Sequence, residues 1–120
     1  MEVLLFNTPA MIRETITEIE SKLKNATSLS DEAKRELVDL LAKLKAEVTD
    51  LARTDADQAR SIAGFAQTST HEAIRSEKNE QLLRLSLDGL SASVDGFEES
   101  HPQLVQIVNR ICTTLSNLGI

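Results

Sequence analysis

The sequence predicts an all-α protein, an antiparallel helical hairpin or bundle of four to five helices with coiled-coil-like apolar stripes. Leucine, isoleucine and valine recur at alternating steps of four and three residues, the spacing of one face of a helix. Aromatic residues make up only 2% of the chain, so aliphatic side chains and alanine must build the core. The length of 120 residues fits a single all-helical domain covering 1–120.

Four stripes define the main helices, and capping residues mark where these helices begin. Thr8 followed by Pro9 is typical of an N-cap and a first helical residue. Ser30 caps the next helix, with Asp31 and Glu32 in its first turn. The stripes are Ile12, Ile16, Ile19 and Leu23; Leu37, Leu41, Leu44, Val48 and Leu51; Leu83, Leu87, Leu90, Val94 and Phe97; and Leu104, Val108, Ile111, Leu115 and Leu118.

These signals predict five helices arranged as two hairpins, one over 9–75 and one over 79–118. The continuity of the second helix stays open, because Thr54-x-x-Asp57 and Ser69-x-x-Glu72 both resemble N-capping patterns. Breaks near 54 or at 68–70 would follow from them. The conformation of 1–8 is also open. The predicted helices cover 9–25, 31–67, 70–76, 79–99 and 101–118.

Small residues predict close helix packing and self-association. Between 52 and 73 the stripe consists almost entirely of alanine, which lets two helix backbones approach closely. An unbroken helix over 31–67 would span roughly 55 Å at 1.5 Å per residue, and a partner would cover its overhang. We therefore expect a homo-oligomer, most simply a dimer. The interface candidates are Ala56, Ala59, Ala63, Ala66, Gly89 and Gly96.

Charge and composition argue against several classes of partner and location. The net charge of −6 comes from 19 acidic and 13 basic residues, and no segment is strongly basic. Nucleic-acid binding needs a basic face, and an acidic surface is repelled by anionic lipid, so neither partner is expected. The start of the chain lacks the pattern of a signal peptide, which favours the cytoplasm. The single cysteine, Cys112, excludes an internal disulfide and a cysteine-based zinc site.

The stretch EESHPQL at 98–104 has two interpretations. Ser100-x-x-Gln103 fits a capping box, which would make the stretch a corner between two helices. Glu98-x-x-His101 has the spacing used in di-metal helical bundles, but such a site needs a second copy of the motif from another subunit. We favour the corner. The other histidine, His71, is expected in the first turn of a short helix, facing solvent.

The ending GFEESHPQLVQIVNRICTTLSNLGI resembles that of the bacterial domain-of-unknown-function family 4404, small helical proteins with a Ser-His-Pro-x-Leu corner and a terminal Gly-Ile. The resemblance is close over about the last 25 residues and weaker over the first helix and 37–51. It implies a helical fold and a bacterial cytoplasmic protein. It implies no functional residues.

No motif of an enzyme or of a cofactor site stands out. The glycines form no phosphate-binding loop, and no G-x-S-x-G pattern occurs. Cys112 lies in a helix beside the apolar stripe and is expected to pack, not to act as a nucleophile. The sequence therefore predicts a non-enzymatic, homo-oligomeric structural or adaptor module without a cofactor. The alternative is a metal- or ligand-binding bundle that uses Glu98 and His101 of two subunits.

Overall fold

A computed structural model of the chain describes the backbone of residues 2–119 and the side chains of 8–118. Five helices and no strand occur in this described part, so the all-α prediction is confirmed. None of the described helices combines the length and apolar character needed to cross a membrane. The helices are α1 (Glu2–Asn25), α2 (Asp31–Leu51), α3 (Ala56–Ile74), α4 (Glu80–Ala92) and α5 (Pro102–Gly119).

Helix α3 lies at the centre of the bundle and packs against the other four helices. Helix α2 packs against α1, α3 and α5, whereas α4 packs only against α3 and α5 among the described helices. These contacts also join the two predicted hairpins, because α3 and α2 both reach into the C-terminal half. Helix α4 is therefore an outer helix, with one side turned away from the bundle.

The predicted stripes form the core. Ile16, Leu23, Leu44 and Leu115 are completely buried, and the other stripe residues of α1, α2, α4 and α5 are buried or half-buried with them. The alanine stripe of α3 is also inside, since Ala59, Ala66 and Ala73 have no exposed surface. The periodicity of apolar residues thus predicted correctly which side of each helix faces inward.

The predicted helix over 31–67 is in fact two helices, which corrects the expectation of a 55 Å rod. Helix α2 ends at Leu51, and the carbonyl of Leu51 accepts hydrogen bonds from the backbone amides of Thr54 and Asp55. The Asp55 carboxylate then accepts a bond from the amide of Gln58 at 3.1 Å and caps α3. Because α3 folds back, the longest dimension of the protein is 40 Å and no overhang needs a partner.

The second possible break, at 68–70, does not occur. Ser69 donates its hydroxyl hydrogen to the carbonyl of Phe65 at 2.6 Å within an unbroken α3. Glu72 pairs with Arg75 at 2.8 Å and does not reach back to a cap. The separate short helix predicted for 70–76 is therefore the last part of α3, and His71 lies exposed in its last turn, not in a first turn.

Helix α1 begins earlier than the pattern predicted. Its backbone is helical from Glu2, so Pro9 lies inside the helix and Thr8 is not an N-cap. Thr8 is buried instead, and its hydroxyl oxygen accepts a hydrogen bond from the Arg60 guanidinium of α3 at 3.2 Å. A tertiary contact from α3 therefore engages the residue whose local sequence suggested a helix start.

Helix α4 ends earlier than predicted, at Ala92, although the stripe continues beyond it. The backbone amides of Val94 and Phe97 donate hydrogen bonds to the carbonyls three residues earlier, at Ser91 and Val94, as in turns. Gly96 adopts φ +92°. Val94 is 2% exposed, and Phe97 packs against the core. The spacing of apolar residues over 79–99 thus predicted which side chains are buried. It did not predict the backbone, which leaves the helix and forms a turn over 93–101. Only a residue without a Cβ adopts the positive φ of Gly96 readily.

Gly64 in α3 and Gly89 in α4 provide a direct test of the packing between these two helices. At Gly89 an added methyl group would overlap the Phe65 ring, whereas at Gly64 nothing lies within 4 Å. Alanine is favoured over glycine in a helix by about 1 kcal/mol. We expect Gly64→Ala to raise the free energy of unfolding by about that amount, and Gly89→Ala to lose this gain because the ring must move.

Urea unfolding followed by circular dichroism measures both variants. In a Phe65→Ala background the two alanine substitutions should become equally favourable, because the ring no longer opposes the change at Gly89. Equal effects in the presence of Phe65 would contradict the described contact.

Candidate functional site

The corner at 93–101 connects α4 to α5 and contains both residues of the predicted metal motif. The Glu98 carboxylate accepts a hydrogen bond from the amide of Gly96 at 2.9 Å and so supports the turn. His101 is half-buried, with its ring edge-on to Phe97 at a centroid distance of 5.6 Å. Nδ1 of His101 is 2.9 Å from the hydroxyl of Ser100. The contacts found for these side chains are therefore local to the corner.

The helix cap in this corner lies one residue later than predicted. Helix α5 begins at Pro102, and the amide of Val105 donates to the carbonyl of His101, which occupies the N-cap position. The Ser100 hydroxyl bonds the His101 ring and not the helix amides, so the predicted capping box with Gln103 is not made. Pro102 still lies in the first turn, where its missing amide costs no helix bond.

No group of three or more histidine, cysteine, aspartate or glutamate side chains that could hold a metal ion occurs among the described residues. Within this part of the chain, Glu98 and His101 are therefore not joined by further ligands into such a group. A site shared between two subunits stays a prediction.

The interface candidates fall into two groups. Ala59, Ala63 and Ala66 are at most 3% exposed and pack inside the chain, so in this conformation they offer no surface to a second copy. Ala56 and Gly89 are half-buried, Gly89 beneath the Phe65 ring, and Gly96 is exposed in the turn. The small residues do allow a close approach of helices, as predicted, but the helices belong to one chain.

An exposed apolar surface occurs where the stripes did not point. Phe65, Leu82 and Leu85 are 40%, 44% and 59% exposed, although all three are large and apolar. Phe65 of α3 lies across Gly89 of α4, and Leu82 and Leu85 lie on the same side of α4 as Gly89, seven and four residues before it. We call Phe65, Leu82 and Leu85 the α3–α4 apolar face.

This face was missed because each of its residues lies beside a stripe and not within one. Leu82 and Leu85 directly precede the buried Leu83 and Ser86 in the sequence, and the stripe pattern does not distinguish them from other leucines of the helix. The available signal was that α4 carries more leucine than one stripe can bury. A helix with Leu82, Leu83, Leu85, Leu87 and Leu90 has apolar residues on two sides.

A pair of opposite charges borders this face on α4. Arg84 and Asp88 are exposed and four residues apart, which places them on one side of the helix. Neither forms an ion pair within the part of the chain that the structure describes. Both line an open groove of about 450 Å³ between α4 and α5, which also contains Cys112.

Cys112 is a poor nucleophile in this setting. Burial, together with the nearby negative charge of Asp88, raises the pKa of its thiol from 9.0 to about 11. Its Sγ lies 3.8 Å from the carbonyl of Leu87, so it packs between α5 and α4. At neutral pH the thiol is protonated, and the thiolate is the reactive species. This agrees with the packing role expected of it.

The sequence matches a known protein family. A family model described as "Domain of unknown function (DUF4404)" matches residues 37–120, from the second turn of α2 to the end of the chain. The chain belongs to the DUF4404 family. The match confirms the resemblance seen at the C-terminus and extends it through α3. No curated protein and no solved structure shows a significant match to the chain.

The DUF4404 match covers the corner, Cys112 and the α3–α4 apolar face, while α1 lies outside it.

The corner allows a test of the role of Gly96. We expect Gly96→Ala to lower the free energy of unfolding by about 1–2 kcal/mol, because φ +92° is unfavourable for a residue with a Cβ. Thermal and urea unfolding measure the loss. Gly64→Ala is the control, since the same change in a helix should stabilise the protein, and a neutral Gly96→Ala would contradict the turn geometry.

The raised pKa of Cys112 predicts slow alkylation of the folded protein. A shift from 9.0 to about 11 lowers the thiolate fraction at pH 8 about 100-fold, so iodoacetamide should react about 100-fold more slowly with folded protein than with urea-unfolded protein. The rate should rise about tenfold per pH unit up to the folded pKa. Mass spectrometry follows the reaction, and equal rates in both states would refute the burial.

Because the folded pKa is the higher one, unfolding releases a proton from Cys112 above pH 9.0. The stability that the protonated thiol contributes is complete below pH 9.0 and is lost as the pH rises towards about 11. A Cys112→Ala variant should lack this component of the alkaline decline.

Proposed function

We propose that this DUF4404 protein is a non-enzymatic structural or adaptor module that acts as a homo-oligomer, most simply a reversible dimer. The observation that carries the proposal is the α3–α4 apolar face, where three large apolar side chains keep 40–59% of their surface exposed. Exposed apolar side chains that form one contiguous patch are typical of interaction sites, whereas isolated ones are not.

The rest of the described surface makes the face distinctive. Met11 on α1 is the fourth exposed large hydrophobic side chain among the described residues, and it is not part of the patch. The core leucines and isoleucines of the same helices are buried almost completely. Solvent exposure of Leu82 and Leu85 therefore does not reflect loose packing of α4. It supports a face that is covered by a partner.

The size of the face favours a weak, reversible dimer. Three side chains on two helices form a smaller patch than the core of an obligate interface, and transient interfaces of modest area commonly dissociate in the micromolar range. Two copies of the same face satisfy each other in a symmetric dimer, the commonest closed arrangement of identical subunits.

An exposed acidic surface supports the role as an adaptor. Asp95, Glu98 and Glu99 are exposed in the corner after α4, with no basic residue between them along the chain. With a net charge of −6, such a surface favours basic protein partners over anionic ones. A cytoplasmic bacterial setting, expected from the sequence, is part of the same proposal.

Self-association is tested by sedimentation equilibrium across the micromolar range, with native mass spectrometry of protein purified without chelators. We expect a monomer–dimer equilibrium and bare subunits in the spectrum. A protein that stays monomeric at its highest soluble concentration would refute the proposal. A metal retained on each dimer would instead support the site built from Glu98 and His101 of two subunits.

A further inference from the structure

We infer that two copies of the chain associate through α4, antiparallel to each other across a two-fold axis near position 86, with Arg84 of each copy paired with Asp88 of the other. This inference rests on the proposed self-association and specifies its surface and geometry.

The position of α4 makes its outer side available. Helix α4 contacts only α3 and α5 among the described helices, and Leu83, Ser86, Leu87 and Leu90 turn its inner side towards them. The opposite side carries Leu82 and Leu85, with Gln81 and Ala92 exposed beside them. An approaching helix would therefore meet apolar side chains with few charges to desolvate.

Helix α3 extends this surface. The Phe65 ring covers Gly89, where a side chain on α4 would have held the ring away from the helix. Next to Phe65, the exposed residues Ser61, Gly64 and Thr68 carry no charge. The border of the apolar face on α3 is thus uncharged. The opposite border, on α4, carries the charges of Arg84 and Asp88.

These two charges determine the direction of packing. In an antiparallel pair related by a two-fold axis, residues equally far before and after the axis lie opposite each other, on the same side of the interface. Positions 84 and 88 are equally distant from 86. Arg84 therefore meets Asp88 of the partner subunit, and the reverse contact forms by symmetry. In a parallel pair the two-fold axis runs along the helices and places Arg84 and Asp88 of the two subunits on opposite borders of the interface, so no such exchange of charges results.

The apolar side chains fit the same register. At a rise of about 1.5 Å per residue, Leu85 lies within one residue of the axis and meets Leu85 of the partner subunit. Leu82 lies at about the level of position 90 of the other copy. It therefore reaches Phe65 of the partner subunit, whose ring covers Gly89 of the partner subunit. The three members of the apolar face are all buried by this arrangement.

Arg84 and Asp88 are not held by an ion pair within the described chain. The same spacing gives an ion pair for Lys43 and Asp39 on α2, at 3.1 Å, but none for the exposed Glu18 and Lys22 on α1. The side chains of Arg84 and Asp88 are thus available to a second copy.

The face is located by substituting one exposed leucine. Leu85→Ser removes an apolar group from the proposed centre without touching the core, since Leu85 is 59% exposed. We expect the dimer dissociation constant to rise at least about tenfold, because both leucines of the central apolar contact are replaced. Met11→Ser is the matched control, since Met11 is 50% exposed on α1 and should have no effect. Circular dichroism verifies that both variants remain folded.

The antiparallel register is tested by charge reversal. Arg84→Glu alone and Asp88→Lys alone each create two like-charge contacts in a homodimer, and each should raise the dissociation constant on the order of tenfold. When the two variants are mixed, Glu at 84 meets Lys at 88, and Asp88 meets Arg84. The heterodimer should then form in preference to both homodimers. Native mass spectrometry distinguishes the three species by mass.

A mixture of Asp39→Lys and Lys43→Glu is the control, because it makes the same charge changes on α2. Its three dimers should appear in statistical proportions. A monomeric wild-type protein would refute both the proposed function and this inference. A wild-type dimer that Leu85→Ser leaves intact would refute only the α4 face. A dimer weakened by Leu85→Ser whose charge variants mix statistically would refute the antiparallel register.

Discussion

The close packing of α3 against its neighbours is the contact on which the rest of the bundle depends. Alanine at positions 59, 63, 66 and 73 leaves little side-chain volume between α3 and the surrounding helices. A helix with leucine at these positions would hold its neighbours farther away. Because α3 touches α1, α2, α4 and α5, its small side chains determine how closely both halves of the chain come together. The larger stripes on the other four helices then fill the remaining space.

Sequence periodicity predicted burial better than it predicted backbone. The residues of the stripes are inside, including Val94 and Phe97, which lie beyond the end of α4. Helix ends were less accessible to prediction, because a local signal competes with contacts that are distant in sequence. Thr8 has the local character of a cap, but Arg60, 52 residues away, bonds it within a continuous helix. Asp55 replaced Thr54 as the cap for α3, which local patterns do not distinguish.

The candidate site shows the same division. The corner at 98–104 was correctly assigned to a junction between helices, since its residue types suit a turn and a helix start. Whether the small residues form a subunit interface was not predictable. Their spacing indicates a close approach of two helices but not whether these helices belong to one chain or to two. The α3–α4 apolar face depends on the Phe65 ring lying across Gly89, on the side of α4 that carries Leu85, and only the folded arrangement of two helices shows this.

Phe65 belongs to two contacts at once, since its ring covers Gly89 within the chain and keeps 40% of its surface towards solvent. A molecule that binds over the ring therefore also holds it against α4. By thermodynamic linkage, such binding stabilises the folded chain according to the concentration of the bound molecule. Conversely, a substitution that loosens the ring from Gly89 weakens binding, even when it leaves every exposed atom unchanged. The stability of the packing between α3 and α4 and the affinity of the surface that they share thus change together.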